Sequence, residues 1–178
     1  VLTALGEGAR GYVLGEFALM GKDSVVMFPG RKETTGGMPP MMGTAAHAIT
    51  LEEVEVLQRS VPGVTSLAPM VLGNGPVSFK SRERDSMVIG TTAAFFAIRK
   101  LEVSQGSSLP DLALGEGKQV AVIGQKLKEA LFDNGRAVGQ WVRLRDYRFR
   151  VIGVLAGSGD SFGADLSEAI FVPVASAQ

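Results

Sequence analysis

The chain lacks cysteine and has a single histidine and a single tryptophan among its 178 residues. Without cysteine it has no disulfides, no thiolate nucleophile and no cysteine-based zinc site. One histidine leaves little from which to build a general base with a nucleophile and an orienting partner beside it. We therefore expect no catalytic residue, no metal site and no cofactor in this chain.

The polar motifs that could carry chemistry have simpler interpretations. His47 lies in a loop before a helix start, and we interpret it as solvent-exposed or locally capping, with a catalytic or metal role as the alternative. Glu52, Glu53 and Glu55 are closely spaced on one predicted helix, which is typical of a solvated face. The glycine pairs at 73–75 and 115–117 lack the third glycine and following helix of a dinucleotide fingerprint and are interpreted as turns.

The chain also lacks net charge and long apolar runs. Lys and Arg number 18, as do Asp and Glu, so no basic excess favours a nucleic acid or an anionic membrane surface. No apolar run approaches the roughly 20 residues that a membrane-spanning helix needs, and no charged leader precedes an apolar stretch. The first residue is Val1 rather than Met, and we expect that it is not the natural start.

The hydrophobic periodicity predicts an α+β fold whose sheet is mostly antiparallel or mixed. An amphipathic helix is expected over 2–20, followed by a short buried strand at 24–28. Thr50 with Glu53 three residues later forms a capping box that predicts a second helix. The remaining expected elements are strands at 64–72, 119–123 and 169–172, helices at 91–99 and 124–132, a turn at 73–76, and hairpins joining 77–79 to 85–90 and 140–144 to 147–155.

Two groups of residues are candidates for contact with a partner. Phe95, Phe96 and Trp141 are expected in the core, with an interface role for one of them as the alternative, because aromatic residues are enriched at binding hot spots. The loop over 31–48 holds three methionines and two prolines, which cannot all be core, and methionine adapts to varied surfaces. This loop is either a disordered connector or a partner-contact element whose residues are Met38, Pro39, Pro40, Met41 and Met42.

Six short motifs follow one another in a characteristic order along nearly the whole chain. They are Ala4-Leu5-Gly6-Glu7-Gly8-Ala9-Arg10, Val61-Pro62-Gly63-Val64, Ile89-Gly90-Thr91-Thr92, Val122-Ile123-Gly124-Gln125-Lys126-Leu127, Phe149-Arg150-Val151-Ile152-Gly153-Val154-Leu155 and Ile170-Phe171-Val172-Pro173. Together they resemble the periplasmic core domain of MacB-type ABC transporter permeases. That family also includes the lipoprotein-releasing subunits LolC and LolE and, more distantly, FtsX.

The resemblance implies a fold of two subdomains. A Porter-like β-α-β part would comprise residues 1–75 and 148–178, and a mostly β Sabre-like part would be inserted at 76–147. It also implies a periplasmic domain of an inner-membrane protein, with the predicted helix at 2–20 continuing a membrane helix and the two chain ends close together. ATP would be hydrolysed by a separate cytoplasmic domain or subunit.

The resemblance further implies that this domain transmits ATP-driven motion to a periplasmic substrate or adaptor, in efflux or lipoprotein release. The implied partners are the ATPase, a periplasmic adaptor protein and an outer-membrane channel. The full-length protein would be dimeric and the isolated domain monomeric. The alternative is a regulatory module of an FtsX-like permease that controls a cell-wall hydrolase. A soluble hydrolase would need an acid–base pair that we do not find in the sequence.

Overall fold

The structure is a computed structural model that describes residues 24–27, 49–157, 160–161 and 164–177. Apart from a two-stranded ladder within 160–165, the elements discussed below belong to a compact unit made of residues 49–159 and 165–178. A second unit comprises residues 1–48 and 160–164, and the predicted helix at 2–20 and the loop at 31–48 lie outside the described residues. Among the described residues, no helix is both long and apolar enough to cross a membrane.

Three short α-helices lie in the described part of the first of these units. Helix α1 (Leu51–Ser60) starts at the predicted capping box, in which the Glu53 backbone N–H donates to Thr50 Oγ1 at 3.2 Å and the Thr50 N–H donates to Glu53 Oε2 at 2.8 Å. Helices α2 (Ala93–Ile98) and α3 (Gln125–Phe132) fall within the predicted ranges. Two 3-10 turns, at Leu166–Glu168 and Val174–Ser176, flank the last strand.

Seven strands form one mixed sheet. They are β1 (Val71–Phe79), β2 (Arg82–Thr91), β3 (Val103–Gly106), β4 (Val120–Ile123), β5 (Trp141–Leu144), β6 (Tyr147–Leu155) and β9 (Ile170–Pro173). A separate two-stranded ladder joins β7 (Asp160–Ser161) to β8 (Ala164–Asp165). In the main sheet, β2 runs parallel to β9 and β4 runs parallel to β6, while the other pairs are antiparallel.

The main sheet closes into a ring. Its order is β3-β6-β4-β9-β2-β1-β5, and β5 pairs again with β6, so six strands form a closed circuit. Strand β6 changes partner along its length: Tyr147–Arg150 pair with β5, whereas Gly153–Leu155 pair with β3. Strand β3 is therefore attached to the ring at one end of β6 and is not part of the circuit.

Two hydrophobic cores lie on the two sides of the ring wall. The first contains inward side chains from the ring strands packed on Leu127, Leu131 and Phe132 of α3. The second packs Phe95 and Phe96 of α2 against outward side chains that include Ile89, Val122, Leu155 and Phe171. The prediction that Phe95 and Phe96 are core residues is confirmed, since each is 5% exposed. The ring centres of these two lie 6.2 Å and 5.4 Å from that of Phe171.

Three predicted elements differ from the structure. The strand expected over 24–28 is wrong for its described part, since 24–27 form no strand and Val25 is 89% exposed. The strand expected over 64–72 begins only at Val71, and the predicted turn at 73–76 is the middle of β1. Pairing with β2 at all nine positions of β1 overrides the turn preference of these glycine and proline residues. Pro76 fits because β5 pairs with β1 only at Val77 and Ser78.

The α+β class and the mixed sheet are confirmed, whereas the two-subdomain division stays a prediction. Most of residues 1–75, the first part of the predicted Porter-like subdomain, lie outside the described ranges. Strands from 76–147 and from 148–178 share the main sheet, and a boundary at residue 75 would fall inside β1.

Candidate partner-binding surface

The predicted partner-contact residues and the histidine lie outside the described residues. They are Met38, Pro39, Pro40, Met41, Met42 and His47, and their roles stay predictions. The acids of α1 are solvent-facing: Glu53 caps the helix, and Glu55 accepts a hydrogen bond from Arg59 at 3.4 Å. Across the described ranges, no three of the side chains that could hold a metal ion are grouped together.

The tryptophan lies on the surface, so the expectation that it belongs to the core is wrong. Trp141 is 51% exposed, whereas its neighbour Val142 is 1% exposed. Successive side chains of a strand point to opposite faces. Trp141 is therefore in phase with Arg143 and out of phase with Val142 and Leu144, which point into the ring. This alternation was present in the sequence and could have placed Trp141 correctly.

Trp141 belongs to an exposed surface on the outward face of the β5–β6 hairpin. We call it the arginine–tryptophan surface; it consists of Trp141, Arg143, Arg148 and Arg150. Trp141 is directly opposite Arg150, and Arg143 is directly opposite Arg148. All four side chains are exposed, while Phe149 between the last two arginines is 3% exposed and points inward. The buried side of the hairpin thus holds these four side chains on one outward face.

The charge of this surface is uncompensated within the described part of the chain. None of Arg143, Arg148 and Arg150 makes an ion pair there. The acid in register on the same face is Glu83 of β2, which is separated from Arg143 by Ser78 of β1. Residues 140–150 carry four arginines and one acid, Asp146, although the whole chain has 18 residues of each sign. The hairpin is therefore a local concentration of positive charge on a neutral chain.

The hairpin is fixed in place by its turn. Arg145 has a φ of 53° and begins the two-residue turn that the sequence predicted. Its side chain leaves the arginine–tryptophan surface and donates from Nη2 to the Asn74 carbonyl oxygen at 2.6 Å. Its backbone N–H donates to the Pro76 carbonyl oxygen at 3.4 Å. Arg145 therefore ties the tip of the hairpin to β1.

A second polar cluster, at the start of the 3-10 turn Leu166–Glu168, has a structural role. Asp165 accepts hydrogen bonds from Lys126 of α3, from the Ser167 hydroxyl, and from the Ser167 backbone N–H at 2.9 Å. The hydrogen bonds from Lys126 and then Ser167 lower the pKa of Asp165 from 3.8 to about 2. Such a carboxylate is a weak base at neutral pH and acts here as a helix cap and an ion-pair partner.

Comparison with known proteins identifies the family. A family model described as the MacB-like periplasmic core domain matches residues 1–178. The chain belongs to this family. The resemblance inferred from the ordered motifs is therefore confirmed.

Curated relatives of this periplasmic core domain are export permeases. The pyoverdine export ATP-binding/permease protein PvdT of Pseudomonas fluorescens is 30% identical over 179 residues, which cover 99% of the chain and 26% of that protein. The macrolide export ATP-binding/permease protein MacB of Bdellovibrio bacteriovorus is 26% identical over 176 residues, which cover 99% of the chain and 27% of that protein. The chain thus spans about a quarter of the length of these relatives.

Two solved structures share the fold of this domain. The extracellular domain of the noncanonic ABC-type transporter YknZ from Gram-positive bacteria aligns with a TM-score of 0.61 and 25% identity, covering 71% of this chain and 63% of that one. The periplasmic region of MacB from Actinobacillus actinomycetemcomitans aligns with a TM-score of 0.60 and 20% identity, covering 72% of this chain and 56% of that one. The family match and the permease names of the curated relatives point to a non-enzymatic role and do not favour the FtsX-like alternative.

Proposed function

We propose that this chain is the periplasmic domain of an export-type ABC transporter permease and that it transmits ATP-driven motion to a substrate or adaptor outside the membrane. The observation that carries this proposal is the match of the periplasmic core domain model to residues 1–178. The names of the relatives, which are export ATP-binding/permease proteins, support the same class of transporter.

The closed ring supports a role as a rigid transmitting body. Cores on both sides of the ring wall are packed with fully buried side chains, including Ile123, Leu127, Leu155 and Phe171. Close-packed interiors have low compressibility and pass strain from one side to the other. A rigid body carried on membrane helices converts a small rotation at its base into a larger displacement at its far end.

The proposal includes the partners and the location of the whole protein. It places the full-length protein in the inner membrane as a dimer, with ATP bound and hydrolysed by a separate cytoplasmic domain or subunit and with no cofactor in this chain. A periplasmic adaptor and an outer-membrane channel complete the export path. The isolated domain is monomeric. The division into residues 1–75 with 148–178 and residues 76–147 is part of the same proposal, as is partner contact by Met38–Met42.

Spin-label distances in the reconstituted full-length transporter test the proposed motion. The chain has no cysteine of its own, so labels can be placed at single sites once any cysteine elsewhere in the full-length protein is replaced. We expect a label at Lys100→Cys, an exposed site after α2, to change its distance between the two protomers on ATP binding and to return after hydrolysis.

A second pair of labels provides the control for rigid-body motion. Labels at Lys100→Cys and Arg136→Cys within one protomer should keep the same distance in every nucleotide state, because both sites belong to the same compact unit. A constant distance between protomers throughout the ATP cycle would contradict the proposed function. A change within one protomer that matches the change between protomers would contradict the rigid-body mechanism.

A further inference from the structure

The residues of the arginine–tryptophan surface lower the stability of the fold. Arg143 and Arg148 are directly opposite across two antiparallel strands, where like charges are destabilising. Neither has an ion-pair partner in the described part of the chain. Beside them, Trp141 leaves half of the largest side chain type exposed. Folding would be better served by an acid or a threonine at position 143, so this arrangement points to a ligand.

We propose that the arginine–tryptophan surface binds an extended acidic segment of a protein partner outside the membrane. The inference rests on the proposed function only in placing this surface on the extracytoplasmic side. The partner segment carries carboxylates at alternate positions and runs along the outward face of the β5–β6 hairpin.

The geometry of the hairpin fits such a segment. Arg148 and Arg150 are two residues apart on one strand, so their side chains rise from the sheet about 7 Å from each other. Carboxylates at alternate positions of an extended chain have the same spacing. Each guanidinium can bind a carboxylate with two parallel N–H···O hydrogen bonds, which favours arginine over lysine at such sites. Arg143, on the neighbouring strand, adds a third guanidinium to the same face.

The tryptophan supplies the apolar part of the contact. Trp141 lies directly opposite Arg150, at the other end of the hairpin from the Arg145 turn. Tryptophan and arginine are the residue types most enriched at the energetic centres of protein interfaces. Ionic contacts alone at an exposed site give little affinity, because solvent and salt screen them. Burial of the indole ring by the partner would exclude water from the adjacent charge pairs and strengthen them.

A protein partner fits this surface better than a lipid headgroup surface does. Stable membrane attachment needs substantial apolar insertion or a second anchor beside the basic residues. Among the described residues on this face of the β5–β6 hairpin, Trp141 alone is a large apolar side chain that is exposed and could insert into a membrane. Arginine also binds phosphate, so lipid contact is a distinct outcome of the experiment below.

Photo-crosslinking in the full-length transporter tests this proposal. The variant Trp141→p-benzoylphenylalanine is irradiated in intact cells, and the crosslinked product is identified by mass spectrometry. We expect a crosslink to an extracytoplasmic protein through a segment with acidic residues at alternate positions. A crosslink to phospholipid, to the second protomer or to a segment without acids, or no crosslink at all, would overturn the proposal.

Charge reversal shows whether the arginines carry the contact. Adding Arg143→Glu and Arg148→Glu should reduce the crosslink yield by at least about tenfold, since like charges across an interface are strongly unfavourable. The charge-matched pair Lys100→Glu and Arg136→Glu, two exposed cations outside the hairpin, should change the yield by less than about twofold. Replacing the partner's acids by lysine should restore crosslinking to the first variant. Equal yields from the two charge-reversed variants would refute the proposal.

The crosslinking and spin-label experiments distinguish a failure of this inference from a failure of the proposed function. The spin-label distances report ATP-driven motion and do not depend on the arginine–tryptophan surface. A crosslink to an acidic segment without ATP-dependent motion would leave this inference standing and contradict the proposed function. ATP-dependent motion without such a crosslink would support the proposed function and overturn this inference. The thermal melting temperature of each purified full-length variant provides the control for folding.

Discussion

The outer surface of the strand ring has two halves that differ in what covers them. Over β2, β4 and β9, outward side chains such as Ile89, Val122 and Phe171 are buried under α2. Over the β5–β6 hairpin, the outward positions hold Trp141 and three exposed arginines, and no described element packs on them.

Strand β6 belongs to both halves, so its outward side chains are covered by α2 at one end of the strand and exposed at the other. Ile152 and Leu155 pack into the core beneath α2, whereas Arg148 and Arg150 face outward in the open. Inward residues of the same strand, Phe149 and Val151, are buried throughout. Inward positions of β6 are therefore apolar along the whole strand. Outward positions are apolar where α2 packs on them and charged where no described element does. An outward stretch rich in arginine and tryptophan marks where the cover is left to a partner.

Removing a large side chain from each half gives the greatest expected effect. Phe171→Ala should lower the free energy of unfolding by about 3–5 kcal/mol, because it removes a fully buried ring and leaves a cavity beside Phe95 and Phe96. Trp141→Ala should lower it by at most about 1 kcal/mol, the span of β-propensity at exposed strand positions. Urea unfolding of the domain measures both values. A similar loss in the two variants would show that the two halves are covered alike.

The Asp165 cluster gives a smaller, pH-dependent effect on the covered side. Because the pKa of Asp165 falls from 3.8 to about 2 on folding, its contribution is present above pH 4 and is lost as the pH falls toward 2. Asp165→Asn should lower the free energy of unfolding at pH 7 by up to about 1 kcal/mol. The difference from the wild type should shrink between pH 4 and 2.5, as measured by urea unfolding.

An exposed acid on the hairpin provides the control for that prediction. Asp146, in the two-residue turn, makes no ion pair in the described part of the chain, so Asp146→Asn should lower the free energy of unfolding at pH 7 by less than Asp165→Asn does. A difference between Asp165→Asn and the wild type that stays constant from pH 7 to 2.5 would exclude the Lys126–Asp165 ion pair as its source.

Relieving the charge repulsion on the β5–β6 hairpin gives the smallest expected effect, and it raises rather than lowers the free energy of unfolding. Arg143→Glu converts the pair with Arg148 into an opposite-charge pair and should raise the free energy of unfolding by about 0.2–1 kcal/mol. Arg143→Gln removes only the repulsion and should fall between this variant and the wild type. Thermal unfolding at low and high salt measures the effect, which salt should reduce. A wild-type domain more stable than both variants would mean that the arginines already support the fold.

Local signals in the sequence predicted several elements of the fold. The Thr50–Glu53 pair predicts the start of α1 because the capping hydrogen bonds involve residues only three apart. The turn at Arg145 and Asp146 predicts a hairpin because alternating segments flank it on both sides. The ordered motifs identified the family across the whole chain.

Closure of the ring could not be predicted, because it depends on pairs that are distant in the sequence. Val77 pairs with Leu144, and Val88 with Ile170, and no local pattern specifies such partners. The same pairing draws Gly73–Pro76 into a strand against their turn preference. Trp141 shows a different failure. Its alternation with Val142 predicts an exposed side chain, whereas the general tendency of tryptophan to be buried predicts a core position, and only the first prediction agrees with the structure.

The place of β9 in the ring has a mechanical consequence. This strand runs between β2 and β4, parallel to the first at four positions and antiparallel to the second at two. A force along its axis is a shear load, which must break the hydrogen bonds of both ladders together, whereas a force across it would peel them one at a time. We therefore expect β9 to resist a displacement along its axis more strongly than one across it.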